Sequence, residues 1–440
     1  MNIIEERIRA AVRAAADTVS PQSVPPLELP AERSWAVGWR RRWLVPAAAA
    51  AAVIVVAVAA VTVGQVVRTR TPGYAPAAMA PGPMVPGPSL ASYVSSGVIP
   101  PYFVALASTG NVNLSPTVAV VHDTVSGRTL ATIKPSIRGG TIQAVSAAGD
   151  DRTFVLDEQP WVKPGGPPTE QWHQPRSFYL LRLNSAGRVN SLSRLWVTVP
   201  AKQVLNAFAL SPDGKRLALA VRSGDIKQDP NRIDLIVCTL DNGTGRAWNS
   251  DGVSIGSGPD DPLGLSWTAD GRTLAFLWLG NAPDSVTAVR LLNLASADGD
   301  LLAASRRVMS LSRVDKPSGS VIQPEYDPII TPDGSAIVSG TVFWQVKKTS
   351  KGQPSNIRSG FAEYSAETGK AVRILGYWKI KAAFTPIEVL WSSPSGRVLI
   401  GIVAGNRIGV INGNEFTPLN MPPVQPSVIG AGAGRGAGAW

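Results

Sequence analysis

Two features of the sequence predict an all-β chain, a six-bladed β-propeller, preceded by one transmembrane helix and a short N-terminal amphipathic helix. One strand–turn–strand pattern recurs from residue 145 onward at nearly constant spacing. Residues 44–67, LVPAAAAAAVIVVAVAAVTVGQVV, hold no charge over 24 residues and follow Arg40-Arg41-Arg42. The 44% hydrophobic content is that of a folded chain rather than a disordered one with an anchor.

Five segments follow in order: 1–42 cytosolic, 43–67 membrane-spanning, 68–100 linker, 101–420 propeller and 421–440 disordered tail. Within the first, residues 2–19 read as an amphipathic helix, with Ile4, Ile8 and Val12 on one stripe and Glu5, Arg9 and Arg13 on other faces. A helix this short is marginal alone, so the stripe calls for a partner: the membrane surface, a second copy or a cytosolic protein. Residues 20–32 are broken by prolines.

As a helix, 44–67 would reach about 36 Å, enough to cross a hydrocarbon core of about 30 Å. It outruns the apolar core of a cleaved signal peptide and begins too far from the N-terminus. Four arginines (33, 40, 41 and 42) precede it against Arg68 and Arg70 after it, which places the N-terminus in the cytoplasm and the rest outside. Residues 71–90, rich in Pro, Gly and Ala, read as a semi-stiff spacer.

The repeat follows. FALSPDGKRLALAV starts at Phe208, LSWTADGRTLAFLW at Leu265, IITPDGSAIVSGTV at Ile329 and LWSSPSGRVLIGIV at Leu390, with a weaker copy, VSAAGDDRTFVLDE, at Val145. Aligned on Asp151, Gly214, Gly271, Gly334 and Gly396, they lie 63, 57, 63 and 62 residues apart. A second strand pair follows each, and a half-copy starts at Val118 behind YFVALAST. Four strands per unit at a period near sixty is the arithmetic of a propeller, six blades with seven as the alternative count. The short A–B and C–D turns should share one face, and the long B–C and D–A connections the other.

The (S/T)xDG turns at Ser211–Gly214, Thr268–Gly271 and Thr331–Gly334 resemble the repeats of TolB-type, WD40-like propellers over roughly residues 100–420. The Trp-Asp dipeptide of WD40 repeats is absent, and Ser395 replaces Asp in the last copy. The layout of short cytosolic helix, anchor and outer propeller resembles single-pass membrane proteins of actinobacteria, some associated with sigma factors. That resemblance implies interaction and sensing rather than chemistry.

Composition narrows the function classes. The net charge of +11 is dispersed, apart from the arginines at the membrane, which argues against a nucleic-acid partner. The single cysteine, Cys238, lies in the apolar run IDLIVCTL and reads as a small buried hydrophobe. Two histidines, His122 and His173, are few for a metal site or a His-driven catalytic centre, so no metal, cofactor or catalytic residue is expected. The G-x-S-x-G match at 252–256 follows both histidines in a glycine-rich loop, the wrong context for a nucleophile elbow. Asp251, Asp260 and Asp261 lack the spacing of a calcium loop.

The binding candidates are loop residues. Residues 157–177 carry Trp161, Trp172 and His173 among prolines, and the corresponding loop after Trp344 adds Lys347 and Lys348. Exposed tryptophans on stiff loops suit protein or cell-wall polymer contact. Trp267, Trp278 and Trp391 lie inside strand runs and should pack between blades.

The expected function is a non-enzymatic binding or scaffolding module of the cell envelope, anchored by one span. The alternatives are a transmembrane regulator whose cytosolic helix holds a sigma factor or similar protein, and a propeller-type lyase or glycosidase.

Overall fold

The computed structural model describes residues 85–108, 116–161, 174–201, 203–222, 233–250, 264–278, 288–310, 320–324, 328–345, 355–379, 388–403, 407–420 and 438–439. The chain divides at Ala75/Pro76, and every described residue belongs to the second unit. Among the described residues no helix is long and apolar enough to cross a membrane. The 43–67 span and the 2–19 helix, with Ile4, Ile8 and Val12, lie outside them.

Six sheets form, one per repeat. Blade 2 shows the plan: Gly140–Ala147 (A), Thr153–Pro160 (B), Arg176–Leu183 (C) and Val189–Val199 (D), each antiparallel to the next. Blade 3 repeats it with Val204–Leu210, Arg216–Arg222, Ile233–Thr239 and Gly245–Ser250. Blade 4 has Leu265–Trp267, Thr273–Trp278, Ala288–Asn293 and Ser305–Ser310. In blade 5 the A strand is split into Ser320–Pro324 and Ile329–Ile330, both paired with Ala336–Gln345. Ser355–Ser365 and Ala371–Lys379 complete that blade. Blade 6 runs Glu388–Ser392, Val398–Val403, Arg407–Asn412 and Glu415–Pro418.

Adjacent blades touch in cyclic order, mostly through their A strands, so the six close into a ring. Blade 1 supplies only B, C and D from its own repeat (Tyr102–Ser108, Thr117–Asp123 and Thr129–Ile133). Its A strand comes from the other end of the chain. Gly438–Ala439 pairs antiparallel with Val104 and Ala105 and lies against the A strands of blades 6 and 2. The tail expected to be disordered therefore contributes a strand. Small residues suit a position where other backbones approach closely.

The linker also departs from expectation. Val85–Pro86 adds a parallel strand to the outer edge of blade 6, and Leu90–Ser95 forms a helix capped by the Ser89 hydroxyl. Leu90, Tyr93 and Ile99 are buried against Phe103 of blade 1 and Ile400 and Val410 of blade 6. Within the helix, Leu90 and Tyr93 lie three residues apart on one face, and Ile99 follows from the segment after it; their burial repays the ordering of so short a helix.

The five aligned turns share one backbone shape. Gly214, Gly271, Gly334 and Gly396 have φ between +62° and +73°, and Asp151 takes +60° in their place. Ser211, Thr268 and Thr331 donate their hydroxyls to Asp213, Asp270 and Asp333 at 2.5, 2.6 and 2.6 Å. The same hydroxyls accept the N–H groups of Arg216, Thr273 and Ala336 across each turn. The last copy, with Ser395 in the Asp position, keeps the Ser393 hydroxyl on the Val398 N–H.

Side chains alternating along each strand fill six apolar clusters, one per blade junction. From the blade 3 B strand, Leu217, Leu219 and Val221 face blade 2, while Ala218 and Ala220 face blade 4. Trp267 and Trp278 fill the junction of blades 3 and 4, and half-buried Trp391 packs at that of blades 6 and 1. Backbone bonds sew the junctions too: the Gly149 N–H donates to Pro212 O and the Ala269 N–H to Pro332 O.

Candidate binding site

The face of the ring that carries the B–C and D–A connections is where blade 2 departs from its neighbours. Six and seven residues past the turn, the B strands of the other aligned blades hold Ala220-Val221, Leu277-Trp278, Gly340-Thr341 and Ile402-Val403. Blade 2 holds Asp157-Glu158 there, followed by Gln159. All three are buried, because strand B runs on to Pro160 rather than giving way to a loop at 157.

Strand alternation sends these side chains two ways. Leu156 packs toward blade 1, and Glu158 on the same face accepts the N–H groups of Ser136 and Ile137 at 3.0 and 2.5 Å. Those residues belong to the connection from blade 1, so Glu158 pins it. Val155 and Phe178 pack toward blade 3, and Asp157, Gln159 and Arg176 share that face by the two-residue period.

Arg176 donates to Asp157 at 2.5 Å, and both side chains are 1% exposed. Among the described residues the pair is incompletely satisfied: Asp157 Oδ1, Gln159 Oε1 and Arg176 Nε are buried with no hydrogen-bond partner there. Each such atom costs about 1–3 kcal/mol, more for a charged group, unless something external meets it. Two acceptors and one donor left open among the described residues suit a ligand rich in hydroxyl or amine groups.

Trp161 stands at the end of this strand, its backbone N–H bonded to Gly139 O at 2.8 Å and its side chain half-buried. Of the loop residues expected to bind, it alone is described. Trp172, His173, Lys347 and Lys348 lie outside the described residues, as do the G-x-S-x-G segment and Asp251, Asp260 and Asp261. The sequence reading missed Asp157, Gln159 and Arg176 as a site. Setting DEQ against the uncharged residues of the other copies would have found Asp157 and Gln159.

His122 stacks on Phe103 with ring centroids 5.0 Å apart, and burial lowers its pKa, partly offset by the Gly127 carbonyl. Cys238 is buried, which pushes its thiol up. Among the described residues no group of three His, Cys, Asp or Glu is placed to hold a metal ion.

No family model and no curated protein matches the chain. Solved structures do. A TolB protein of Agrobacterium tumefaciens is similar at 12% identity and TM-score 0.36, over 72% of this chain and 87% of that one. An oligogalacturonate lyase of Vibrio parahaemolyticus matches at 12% identity and TM-score 0.36, over 72% and 78%. Prolyl oligopeptidase B of Galerina marginata matches at 11% identity and TM-score 0.39, over 73% of this chain and 42% of that one. At these identities the likeness concerns the fold alone. The expectation of a non-enzymatic chain is corrected accordingly: an oligogalacturonate lyase and a prolyl oligopeptidase stand among the propellers it resembles in fold.

Proposed function

We propose that the chain is a single-pass membrane protein whose propeller lies outside the cell and binds a hydroxyl- or amine-bearing partner of the envelope, protein or polymer. The binding surface is the blade 2 end of the face that carries the long connections. The observation behind this reading is the buried Asp157–Arg176 pair, with Asp157 Oδ1, Gln159 Oε1 and Arg176 Nε unmet among the described residues, on the strand that ends at half-buried Trp161. The charge-free run at 44–67 supports the anchor, and the arginine bias supports the orientation.

The test is affinity capture of the full-length protein from native membranes, with Trp161→Ala and Asp157→Leu/Arg176→Met compared against wild type. The double substitution replaces a buried pair by apolar residues of similar volume, an exchange that tends to be neutral or stabilising. Envelope partners retained by wild type and lost by both variants, with unchanged thermal unfolding, support the reading. The same partners on all three overturn it.

A second reading, a transmembrane regulator, rests on the Ile4, Ile8 and Val12 stripe. A cytosolic protein such as a sigma factor that co-purifies with the full-length chain, and not with one lacking residues 1–33, would favour it.

A further inference from the structure

Each blade ends outward on its D strand, and two of the six outer edges are covered by this chain itself. Val85–Pro86 adds a parallel strand to Glu415–Pro418 of blade 6, and Gly299–Asp300 adds one to Gly245–Ser250 of blade 3. Blade 2 is the contrast. Its D strand, Val189–Val199, is the longest of the six at 11 residues, and among the described strands it pairs only with Arg176–Leu183.

The first six residues of this strand, Val189 to Arg194, are all exposed. No other D strand holds more than three exposed residues in a row among those described. Neither proline nor lysine, which commonly blunt a free edge, occurs in VNSLSRLWVTV. Instead the strand presents Val189, Leu192 and Trp196, three of the five exposed large hydrophobic side chains among the described residues. Trp196 is 50% exposed yet fixed: its indole N–H donates to the Leu240 carbonyl at 3.2 Å, and a Cβ added at Gly243 would meet its ring at 3.9 Å. A side chain already held in place loses little freedom on contact, which suits an anchor.

Charge narrows the occupant. The hairpin of Arg176–Leu183 and Val189–Val199 exposes Arg182, Arg188 and Arg194, and no acidic residue occurs from 176 to 212. None of these three arginines is in an ion pair among the described residues. Arg194 donates to the Ser177 hydroxyl at 3.1 Å. Of the acids in flanking turns, Asp150 accepts from Arg152 and Thr153, Asp151 lies in the field of Arg152, and Asp241 follows Leu240 beyond Trp196. An open strand edge offers N–H and C=O groups at the spacing of another peptide backbone, which a sugar or phosphate polymer does not match.

We infer that the outer edge of blade 2 docks an extended, acidic segment of a partner protein, which adds a strand along Val189–Arg194 with Trp196 as the anchor at one end. The chain's own additions to blades 3 and 6 are the internal precedent for this geometry. The site uses none of the Asp157–Arg176 cluster, so it stands or falls independently of the proposed function.

The experiment uses the full-length protein in detergent and the peptide acetyl-Glu-Val-Glu-Val-Glu-Val-Thr-amide. One control peptide is N-methylated along its backbone, and a second carries lysine in place of glutamate. Binding is followed by ligand-observed NMR, and pairing by hydrogen exchange of the Val189–Arg194 amides. The acidic peptide should bind in the millimolar range or tighter and slow exchange across Val189–Arg194, with both controls about tenfold weaker. Arg182→Glu/Arg188→Glu should reverse the order of the acidic and basic peptides, and Trp196→Ala should weaken the acidic one about fivefold. All three side chains are exposed, so the fold survives these changes. Equal binding of the N-methylated peptide overturns the inference, as does no binding to wild type. Polyphosphate that binds as tightly as the acidic peptide, without slowed exchange from either, overturns it too, since the surface then reads charge alone. So does protection of Val189–Arg194 before any peptide is added, as in a dimer paired edge to edge.

Discussion

Asp151 occupies, at φ +60°, the turn position that glycine fills in four other blades. Placing an L side chain there costs roughly 1–2 kcal/mol, and the Asp150 carboxylate helps hold the turn by accepting from Thr153 N–H and Oγ1 at 2.8 and 2.6 Å. The glycines differ in what surrounds them. An added Cβ at Gly214 meets nothing nearer than 3.5 Å, whereas at Gly396 it meets Thr331 Cγ2 at 2.6 Å. Gly214→Ala should therefore cost about the left-handed penalty alone, and Gly396→Ala measurably more, as read from urea midpoints.

Also at the residue scale, Asp157→Ala strands a buried guanidinium and should cost about 3–5 kcal/mol in urea unfolding, against little for Asp157→Leu/Arg176→Met. Tyr364 gives a pH prediction. Burial pushes its phenol up to about 12 from 10.0, partly offset by a hydrogen bond with Thr341. A raised phenol favours the neutral native form, so its contribution to stability is full below pH 10 and is lost as pH rises from there toward 12. Tyr364→Phe should flatten the fall in stability over that window.

At the element scale, the turns were legible because (S/T)xDG names both the hydroxyl that bridges the turn and the glycine that permits its φ. Helix Leu90–Ser95 was not: the prolines and glycines before Ser89 set the composition, while its apolar face at Leu90 and Tyr93 is visible only at helical spacing. Leu90→Ala should cost about 2–5 kcal/mol as a core truncation. The closing strand was hidden for a different reason. Gly438–Ala439 contributes backbone pairing almost without side chains, and no hydrophobic pattern marks it. Removing residues 436–440 should expose the inner edge of blade 1 and lower the thermal midpoint, while a truncation that leaves the midpoint unchanged would mean the ring closes without this strand.

At the scale of the whole molecule, the six-bladed ring follows from the period near sixty, since a four-stranded blade cannot bury both faces alone. Blade number and strand order were readable, whereas the Asp157–Arg176 pair was not. Its two residues lie 19 positions apart, within the segment read as one loop, and meet only through the register of adjacent strands. What the sequence asserts and the ring does not address is the side of the membrane on which the propeller lies.

Labelling with a membrane-impermeant maleimide tests that claim most directly. The only native cysteine, Cys238, is 6% exposed and should stay unreactive in the folded protein. Ser191→Cys places a thiol on the exposed outer strand of blade 2, and Ala10→Cys places one before the apolar run. An anchored outer propeller predicts that Ser191→Cys is labelled on intact cells and Ala10→Cys only after permeabilisation. Labelling of Ala10→Cys on intact cells, with Ser191→Cys protected until the membrane is opened, would contradict the account.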